Sequence, residues 1–351
     1  MNTSELDYDL PGRLIAQEGL ADRASARLLV LDRRREALAH RQVRDLGEYL
    51  AAGDCLVLND SRVIPARFSC RRQRGGRIEG LFLQATAEGD WLALLKNGGR
   101  VRIGERMALA RAGGLVEAGA PVLKAVQRGE RGVWRLRAEG QGDYLRVLEE
   151  YGRTPLPPYI RRSSETDDAA DRERYQTVYA RAPGSVAAPT AGLHFTEELL
   201  QELRGRGVGL ARLTLHVGLG TFQSVTTERV EDHPMHSEAY HLGEVDAALI
   251  NEALAAGGRV VAAGSTSVRT LETVAREGRV EAGTGWTKLL MAPGYEFRIV
   301  GGVLTNFHLP RTTLLALACA FGGRERVLAA YREAVRLEYR FYSYGDAMLI
   351  L

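Results

Sequence analysis

The fold is decided at Asp54–Phe68, which reads DCLVLNDSRVIPARF. Its first part, Asp54–Asp60, is a short apolar run bounded by polar residues, which is typical of a buried strand. Arg27–Asp32 (RLLVLD) has the same pattern, and Val43–Ala52 between the two runs predicts a short helix. These three elements predict a β-α-β start. After Ile64-Pro65 the character of the chain changes.

From there to about Gly140 the sequence shows short strand-like runs divided by the glycine pairs at 75–76, 98–99 and 113–114. The runs Arg77–Leu83, Trp91–Leu95 and Gly132–Arg137 are examples. Regular short strands with turn signals between them indicate a small all-β barrel or sandwich. The next strong helix is predicted only at Asp143–Tyr151.

Beyond a stiff connector at Pro155–Ile160 and a charged, exposed stretch at Arg161–Arg174, the α/β alternation resumes. The elements predicted there are helices at Glu197–Arg204, Val245–Ala256, Val268–Arg276, Thr312–Phe321 and Glu325–Tyr339, and strands at Gly209–Val217, Arg259–Ala263 and Lys288–Ala292. We therefore predict the α/β class, with an α/β barrel-like main domain formed by residues 1–60 and 151–351. A small all-β barrel domain, 61–150, is inserted into it.

Composition is that of an ordinary soluble protein, with 45% hydrophobic and 26% charged residues among 351. The longest apolar run, Thr312–Phe321, is too short to span a membrane, and the N-terminus lacks the pattern of a signal peptide. The three scattered cysteines form neither a metal pair nor a disulfide framework, so a cytoplasmic protein is expected.

Charge is distributed unevenly. Ser61–Ala112 contains eleven Lys/Arg against four Asp/Glu, a balance of +7, whereas the whole chain carries +3. The remainder therefore sums to −4. A basic region on an otherwise acidic protein suggests a polyanion partner, nucleic acid first, while a merely solvated surface is an equal alternative on charge alone.

Six of the seven histidines lie within residues 194–308. Each is next to Gly, Pro or a predicted strand end, where α/β folds build their sites. A single histidine is more often structural, but the cluster favours a functional role. The candidate catalytic residues are His194, His216, His233, His236, Glu238 and His308. His233-x-x-His236 contains Pro234 and lacks the H-E-x-x-H spacing, so no metal is expected.

Two loops precede predicted helices. Gly184–Phe195 (GSVAAPTAGLHF) is rich in small residues that let a ligand approach the backbone, and Thr196 is placed to cap the next helix. Ala263–Thr270 (AGSTSVRT) offers hydroxyl groups and backbone N–H groups for an anion or carboxylate, although simple N-capping explains it equally. The aromatic tail Tyr339–Asp346 is either a stacking platform for unpaired nucleotides or a buried closing strand.

Together these motifs closely resemble one family, the S-adenosylmethionine:tRNA ribosyltransferase-isomerases of queuosine biosynthesis. The resemblance covers nearly the whole chain in order and rests on the stretches Asp54–Phe68, Pro155–Ile160, Glu173–Ala180, Gly184–Thr196, Leu213–Phe222, Asp232–Tyr240, Gly264–Glu272, Asn306–Leu315 and Tyr339–Ile350. Departures from the family pattern are small, such as Ser265 in place of Thr.

The resemblance implies transfer and isomerisation of the ribosyl moiety of S-adenosylmethionine onto the aminomethyl-deazaguanine (preQ1) wobble base of tRNA. Adenine and methionine leave, and epoxyqueuosine-tRNA is formed. S-adenosylmethionine is then a co-substrate, with no true cofactor and no metal, and a monomer with no membrane contact is expected. The partner is tRNA with a queuosine-type anticodon.

The resemblance also implies which residues of this chain contact each of the two substrates. The residues expected to contact S-adenosylmethionine are Gly192, Ser265, Thr266, Ser267, Arg269 and Asn306. The inserted domain is expected to contribute to tRNA binding. The residues expected to contact tRNA are Arg62, Arg67, Arg71, Arg72, Arg77, Arg340 and Tyr344. Two alternatives stay open at this point: an S-adenosylmethionine-dependent tRNA methyltransferase, against which the missing Gly-rich loop argues, and a non-catalytic tRNA-binding module. A metallohydrolase is a third alternative.

Overall fold

The structure is a computed structural model that describes residues 1–140, 143–162, 169–218 and 225–351. Parts of two predicted segments, Arg161–Arg174 and Leu213–Phe222, lie outside these residues. The described chain divides into two compact units. The first consists of Met1–Ser61, Thr177–Ala182 and Ala188–Leu351, and the second of Arg62–Gln176 and Pro183–Ala187.

The strands are β1 Arg27–Asp32, β2 Ala37–Gln42, β3 Cys55–Asn59, β4 Ser61–Val63, β5 Arg67–Arg72, β6 Arg77–Ala85, β7 Trp91–Lys96, β8 Arg106–Ala110, β9 Val122–Arg128, β10 Val133–Glu139, β11 Ala182–Ser185, β12 Gly209–Leu215, β13 Glu238–Leu242, β14 Val260–Ala263, β15 Ala275–Arg276, β16 Arg279–Val280, β17 Gly283–Thr287, β18 Val300–Asn306 and β19 Ala347–Ile350. The α-helices are α1 Tyr144–Tyr151, α2 Ala169–Arg174, α3 Glu197–Gly205, α4 Glu244–Ala255, α5 Ser265–Thr273, α6 Thr313–Gly322 and α7 Arg324–Arg336.

The first unit is built on a nine-stranded sheet with the order β17-β13-β12-β3-β14-β18-β19-β1-β2. Its four central strands, β12, β3, β14 and β18, run parallel to one another. Most of their side chains are apolar on both faces, as expected for parallel strands that are covered on both sides, with Arg212 and Thr214 of β12 among the exceptions. One face packs on α4, α5, α6 and α7, and the other face packs on α3.

The second unit contains a closed barrel with the strand order β10-β7-β6-β5-β8-β9. All of its pairings are antiparallel. Phe68 and Phe82 pack edge-on against Trp91 in its interior. Gly80 permits this packing, because a Cβ on that residue would lie 2.2 Å from the Phe68 ring.

The α/β class with an inserted all-β barrel is confirmed, but the main sheet is open where we expected a barrel-like arrangement. Among the described residues its edge strands β2 and β17 do not pair with each other, and each is joined antiparallel to one neighbour. The β-α-β start was wrong. The hairpin strand β2 follows β1, and Val43–Glu48 forms a 3₁₀-helix, so β1 and β3 are not neighbours.

Two further elements differ from the predictions. The helix expected at Val268–Arg276 begins earlier, at Ser265, because the turn at Gly264 ends β14 directly before it. The apolar run Lys288–Ala292 is not a strand. Leu289, Leu290 and Met291 pack instead as irregular backbone against the main core, and the edge strand is Gly283–Thr287.

The second unit extends beyond the residue limits of 61–150 predicted for the insert, reaching Gln176. Backbone hydrogen bonds join Arg67 to Arg153 in both directions, and the Gln176 side chain bonds both backbone groups of Val63. These contacts hold Arg153 beside the barrel strand β5 and Gln176 beside β4. None of the helices described here is long and apolar enough to cross a membrane.

Candidate active site

The polar residues predicted for the site follow the ends of parallel strands. Because β12, β3, β14 and β18 are parallel, their carboxyl ends meet at one edge of the sheet. His216 follows β12, Ser265 follows β14, and Asn306 ends β18. Ligands of open α/β sheets bind at such an edge.

The first cavity lies at this edge and encloses about 490 Å³ of empty space, part of it open to solvent. It is lined by Ala188, Pro189, Thr190, Ala191, Val217, Gly264, Ser265, Thr266, Thr305, Asn306, His308, Leu314, Tyr342 and Ser343.

Two glycines shape the walls of the first cavity. Gly264 has φ +88°, a left-handed conformation that lets β14 turn directly into α5. Gly192 lies in the 3₁₀-helix Thr190–His194, where a Cβ would be only 2.1 Å from Tyr179 Oη. Both positions therefore require glycine, and Gly192 acts through backbone packing since it does not line the cavity itself.

Two polar atoms in the cavity wall are buried without a protein partner among the described residues: Thr266 Oγ1 and Asn306 Oδ1. Leaving such atoms unpaired costs about 1–3 kcal/mol each, so a bound ligand that pairs them gains affinity. Ser267 differs, because its hydroxyl donates to the Ala263 carbonyl at 2.8 Å and does not line the cavity.

His308 faces the first cavity as a neutral imidazole. Burial lowers its pKa to about 3, and its Nε2 lies 2.8 Å from Thr305 Oγ1. Its backbone N–H donates to the Tyr331 hydroxyl at 3.1 Å. The ring is thus fixed in place and available as an acceptor or a neutral donor at neutral pH.

His194 lies behind the cavity wall. Its Nε2 is 3.2 Å from Asn306 Nδ2, which also donates to the Tyr342 carbonyl at 3.0 Å. Burial, with the charges of Arg340 and Arg23, lowers the pKa of His194 to about 4. The imidazole therefore supports Asn306, whose other side-chain atom faces the cavity.

A second cavity of about 460 Å³ adjoins the first through Leu314, which lines both. Its polar lining consists of His233, His236, Glu238, Arg269 and Thr313. Burial, with the proximity of His236, lowers the pKa of His233, whose buried Nδ1 has no partner among the described residues. His236 is exposed.

An ion pair between Glu238 and Arg269 crosses from β13 to α5 inside the unit. The two side chains are 4% and 8% exposed, and Glu238 Oε1 also accepts from the Gly218 N–H at 2.9 Å. Arg269 Nε donates to the Leu289 carbonyl, whereas its buried Nη2 has no partner in the described chain. The structure thus places Arg269 in the second cavity, apart from Ser265 and Thr266.

His216 is held by residues that follow β3. Its Nδ1 lies 2.8 Å from Ser61 Oγ, and burial lowers its pKa against the opposing effect of Asp60. Asp60 accepts from Thr214 Oγ1 at 2.6 Å and pairs with Arg181 at 2.9 Å. The residues after β3 therefore fix the end of β12.

The arginines predicted to contact tRNA in the second unit already have protein partners. Arg62 pairs with Glu149, Arg72 forms a bidentate pair with Glu105, and Arg77 lies near Glu79. Arg67 and Arg71 donate to the carbonyls of Leu156 and Gly114. Arg71 and Arg72 line an open groove on the barrel together with Arg106.

The tail residues lie in the first unit. Arg340 donates to the Glu18 carbonyl. Tyr339, Phe341, Tyr342 and Tyr344 are at most 5% exposed, so the tail is a buried segment and β19 begins only at Ala347. The alternative of a buried closing strand is therefore right about burial and wrong about the strand. Stacking of tRNA on Tyr344 stays a prediction that requires the ring to leave this position.

Some residues of the site were not predicted as functional from the sequence. Ser61 and Thr305 hold His216 and His308, and neither has a signal beyond its place at a strand end. In the described parts of the chain, no group of three or more His, Cys, Asp or Glu side chains is arranged to hold a metal ion.

Comparisons with known proteins identify the family of the chain. The family described as queuosine biosynthesis protein matches residues 3–350. Proteins named S-adenosylmethionine:tRNA ribosyltransferase-isomerase from Caldanaerobacter subterraneus subsp. tengcongensis and Staphylococcus haemolyticus are 47% and 45% identical, over all of both chains. A crystal structure of S-adenosylmethionine tRNA ribosyltransferase from Thermotoga maritima is 36% identical with a TM-score of 0.56, covering 99% of this chain and all of that one.

Proposed function

This chain belongs to the queuosine biosynthesis protein family, and from that premise we propose that it performs ribosyl transfer and isomerisation at the two adjoining cavities of the first unit. It is an enzyme of the transferase–isomerase class, an S-adenosylmethionine:tRNA ribosyltransferase-isomerase. The acceptor that we propose is the preQ1 wobble base of a tRNA with a queuosine-type anticodon. The products are epoxyqueuosine-tRNA, adenine and methionine.

The observation that carries this assignment is the pair of unpartnered buried atoms, Thr266 Oγ1 and Asn306 Oδ1, in the first cavity. The Thr266 hydroxyl can donate and accept a hydrogen bond, and the Asn306 amide oxygen can accept one. This combination suits the hydroxyl groups of a ribose or the edge of a purine. We place the nucleoside part of S-adenosylmethionine there, beside Ser265 and the backbone around Gly192.

The second cavity suits the amino-acid end of the same molecule. Arg269 Nη2 is a buried donor without a described partner, and Glu238 holds the guanidinium in position. A carboxylate is the partner that such a fork binds best. Since Leu314 lines both cavities, one extended ligand can reach from Thr266 to Arg269.

The chemistry requires a base and an acid. The positive sulfonium acidifies the neighbouring CH, so a positioned base can form an ylide, and departure of adenine requires a donor at the purine. We assign the base to a neutral imidazole. His308 lines the first cavity, and His233 and His236 line the second. His216 and Glu238 remain candidates, and His194 acts by positioning Asn306.

For tRNA, we propose that the basic residues Arg62, Arg67, Arg71, Arg72, Arg77 and Arg340 provide phosphate contacts. Their present partners are largely carboxylates and carbonyls near the surface, and arginine has donors enough to keep one partner while binding a phosphate. We also propose a monomeric enzyme of the cytoplasm that needs no metal.

Product analysis tests the proposal. The protein is incubated with S-adenosylmethionine and tRNA carrying preQ1, and the small molecules and digested nucleosides are identified by mass spectrometry. We expect adenine, methionine and an epoxyqueuosine nucleoside in equal amounts. S-adenosylhomocysteine with a methylated nucleoside indicates a methyltransferase instead, and tRNA binding without any product indicates a binding module.

A further inference from the structure

One edge of the large sheet carries an exposed aromatic side chain that the reaction described above does not use. Trp286 lies on the edge strand β17 and is 63% exposed, whereas Trp91 and Trp134, the other tryptophans, are 1% and 2% exposed. Tryptophan is enriched at interfaces, where its large apolar ring contacts a partner, so an exposed indole on a sheet edge is a candidate contact residue.

The pairing register places Trp286 in line with His216. Trp286 is opposite Ala239, and the His216 N–H donates to the Ala239 carbonyl at 3.0 Å. In an antiparallel sheet, directly opposite residues project from the same face. His241 and Thr284 are the next opposite pair on this face, two residues along each strand from Ala239 and Trp286. The hydrogen bond between His241 Nδ1 and Thr284 Oγ1 shows that the side chains of this pair project to the same side.

Towards the sheet edge this face is exposed among the described residues, because His241, Thr284 and Trp286 are all exposed. On this face α3 covers a hydrophobic cluster that includes Leu56 and Leu58 of β3. Leu210 of β12 packs against the edge of this cluster and is only partly buried. Beyond it the same face carries polar or small residues, among them Thr214, Ala239 and His241. We name the strip formed by His216, Ala239, His241, Thr284 and Trp286 the open strip.

The spacing along the open strip fits a planar ring. Two strand separations divide Trp286 from His216, about 10 Å in all. His216 is held towards β3 by its contact with Ser61, and the residue of β13 at this register position is Ala239, whose side chain is a single methyl group. A ring in contact with a neighbour on each face needs about 7–8 Å, so this gap accommodates one.

We propose that the open strip binds an unpaired nucleobase of the tRNA anticodon loop, stacked on Trp286 over Ala239. This inference rests on the proposed tRNA substrate. Val217, next to His216, lines the first cavity, so the open strip adjoins that cavity at its His216 end. Arg181, whose side chain is 66% exposed, stays at this face through its pair with the buried Asp60 and supplies positive charge for the adjoining phosphate.

The test compares Trp286→Ala and Trp286→Phe in the full-length enzyme, with Val245→Ala as the matched control. Val245 is a large apolar residue on α4 that is 83% exposed. With preQ1-containing tRNA we expect Trp286→Ala to raise KM for tRNA about tenfold while KM for S-adenosylmethionine stays unchanged. Trp286→Phe, which keeps a stacking face, is expected within about threefold of wild type.

Intrinsic fluorescence gives an independent readout that needs no turnover. Because Trp286 is the exposed tryptophan of the three, tRNA is expected to quench the wild-type emission, and Trp286→Phe is expected to abolish the quenching. An unchanged KM for tRNA in Trp286→Ala, or equal quenching in Trp286→Phe, overturns the proposal. The proposal is also overturned if the wild type forms a concentration-dependent dimer and Trp286→Ala dissociates that dimer, because the open strip is then an interface between two copies of the chain. Failure of the wild type to release adenine contradicts the proposed function, while the quenching experiment still decides on the strip.

Discussion

The two units treat their polar side chains in opposite ways. In the barrel unit, Arg62, Arg72 and Arg77 are paired with carboxylates of the same unit, although this region has the chain's largest positive balance. In the sheet unit, Thr266, Asn306 and Arg269 each keep a buried polar atom without a described partner. A count of charges thus identifies a binding surface only coarsely, whereas an unpaired buried atom in a cavity wall indicates which ligand group can bond there.

The largest effect is expected from the buried pair that supports the second cavity. Glu238→Gln leaves the Arg269 guanidinium buried without a counter-charge, which should lower the free energy of unfolding by about 3–5 kcal/mol. Urea denaturation measures this change in the free energy of unfolding. The control is Glu48→Gln, whose pair with Arg41 is exposed at 58% and 43% and should contribute at most about 1 kcal/mol. Equal effects of both substitutions contradict this account of the cavity.

The next effect is a dependence of stability on pH. His194 has a pKa of about 4 when folded and 6.5 when unfolded, so the unfolded chain takes up the proton first as the pH falls. Stability is therefore full above pH 6.5 and is lost towards pH 4. At pH 5 the loss from this residue is about 2 kcal/mol. Denaturation of wild type and His194→Gln at pH 7.5 and 5 should show a smaller pH effect in the variant, and equal pH effects oppose the assignment.

Neighbouring hydroxyl groups on α5 allow a sharper comparison. Thr266→Val removes the unpartnered hydroxyl and should lower kcat/KM for S-adenosylmethionine about fivefold to tenfold without loss of stability. Ser267→Ala removes a hydroxyl that bonds the Ala263 carbonyl, and should cost about 1 kcal/mol of stability with little change in kcat/KM. Steady-state kinetics and thermal unfolding of both variants check this. The same phenotype in the two variants would exclude a ligand role for Thr266.

The smallest effect is expected in the barrel. Arg71→Ala removes one proposed phosphate contact, so tRNA affinity should fall only a few-fold, and the slope of log K against log salt should become shallower by about 0.7–0.9. Arg35, whose side chain is 84% exposed in the sheet unit, provides the control variant Arg35→Ala. Filter binding at several salt concentrations gives both slopes. Identical slopes in wild type and Arg71→Ala remove Arg71 from the interface.

Sequence patterns located the strands that have the clearest local signals. Arg27–Asp32 was predicted with its observed limits, and Thr196 caps α3 as expected, through a hydrogen bond to the Leu199 N–H. Strand β2 was missed because its sequence, ALAHRQ, is exposed at five of its six positions and lacks an apolar alternation. The strand predicted at Lys288–Ala292 was wrong, because an apolar segment can cover a core without joining a sheet.

The site was predictable as a set of strand-end residues, but its internal pairing was not. His308, Asn306 and Thr266 meet in the first cavity because four parallel strands end together, which the alternation of strands and helices suggests. The pair Glu238–Arg269 joins residues 31 positions apart across the sheet, and no local spacing indicates it. The exposure of Trp286 likewise depends on which strand forms the edge.

Hydrogen–deuterium exchange with each substrate tests the central claim, that the sheet unit binds S-adenosylmethionine and the barrel's basic surface binds tRNA. On adding S-adenosylmethionine, the account predicts slower exchange in peptides covering residues 188–194, 264–273 and 300–308, and no change in barrel peptides covering 67–110. Adding tRNA should protect the barrel peptides. Protection of the barrel by S-adenosylmethionine, with no change in the three sheet-edge segments, would contradict the account.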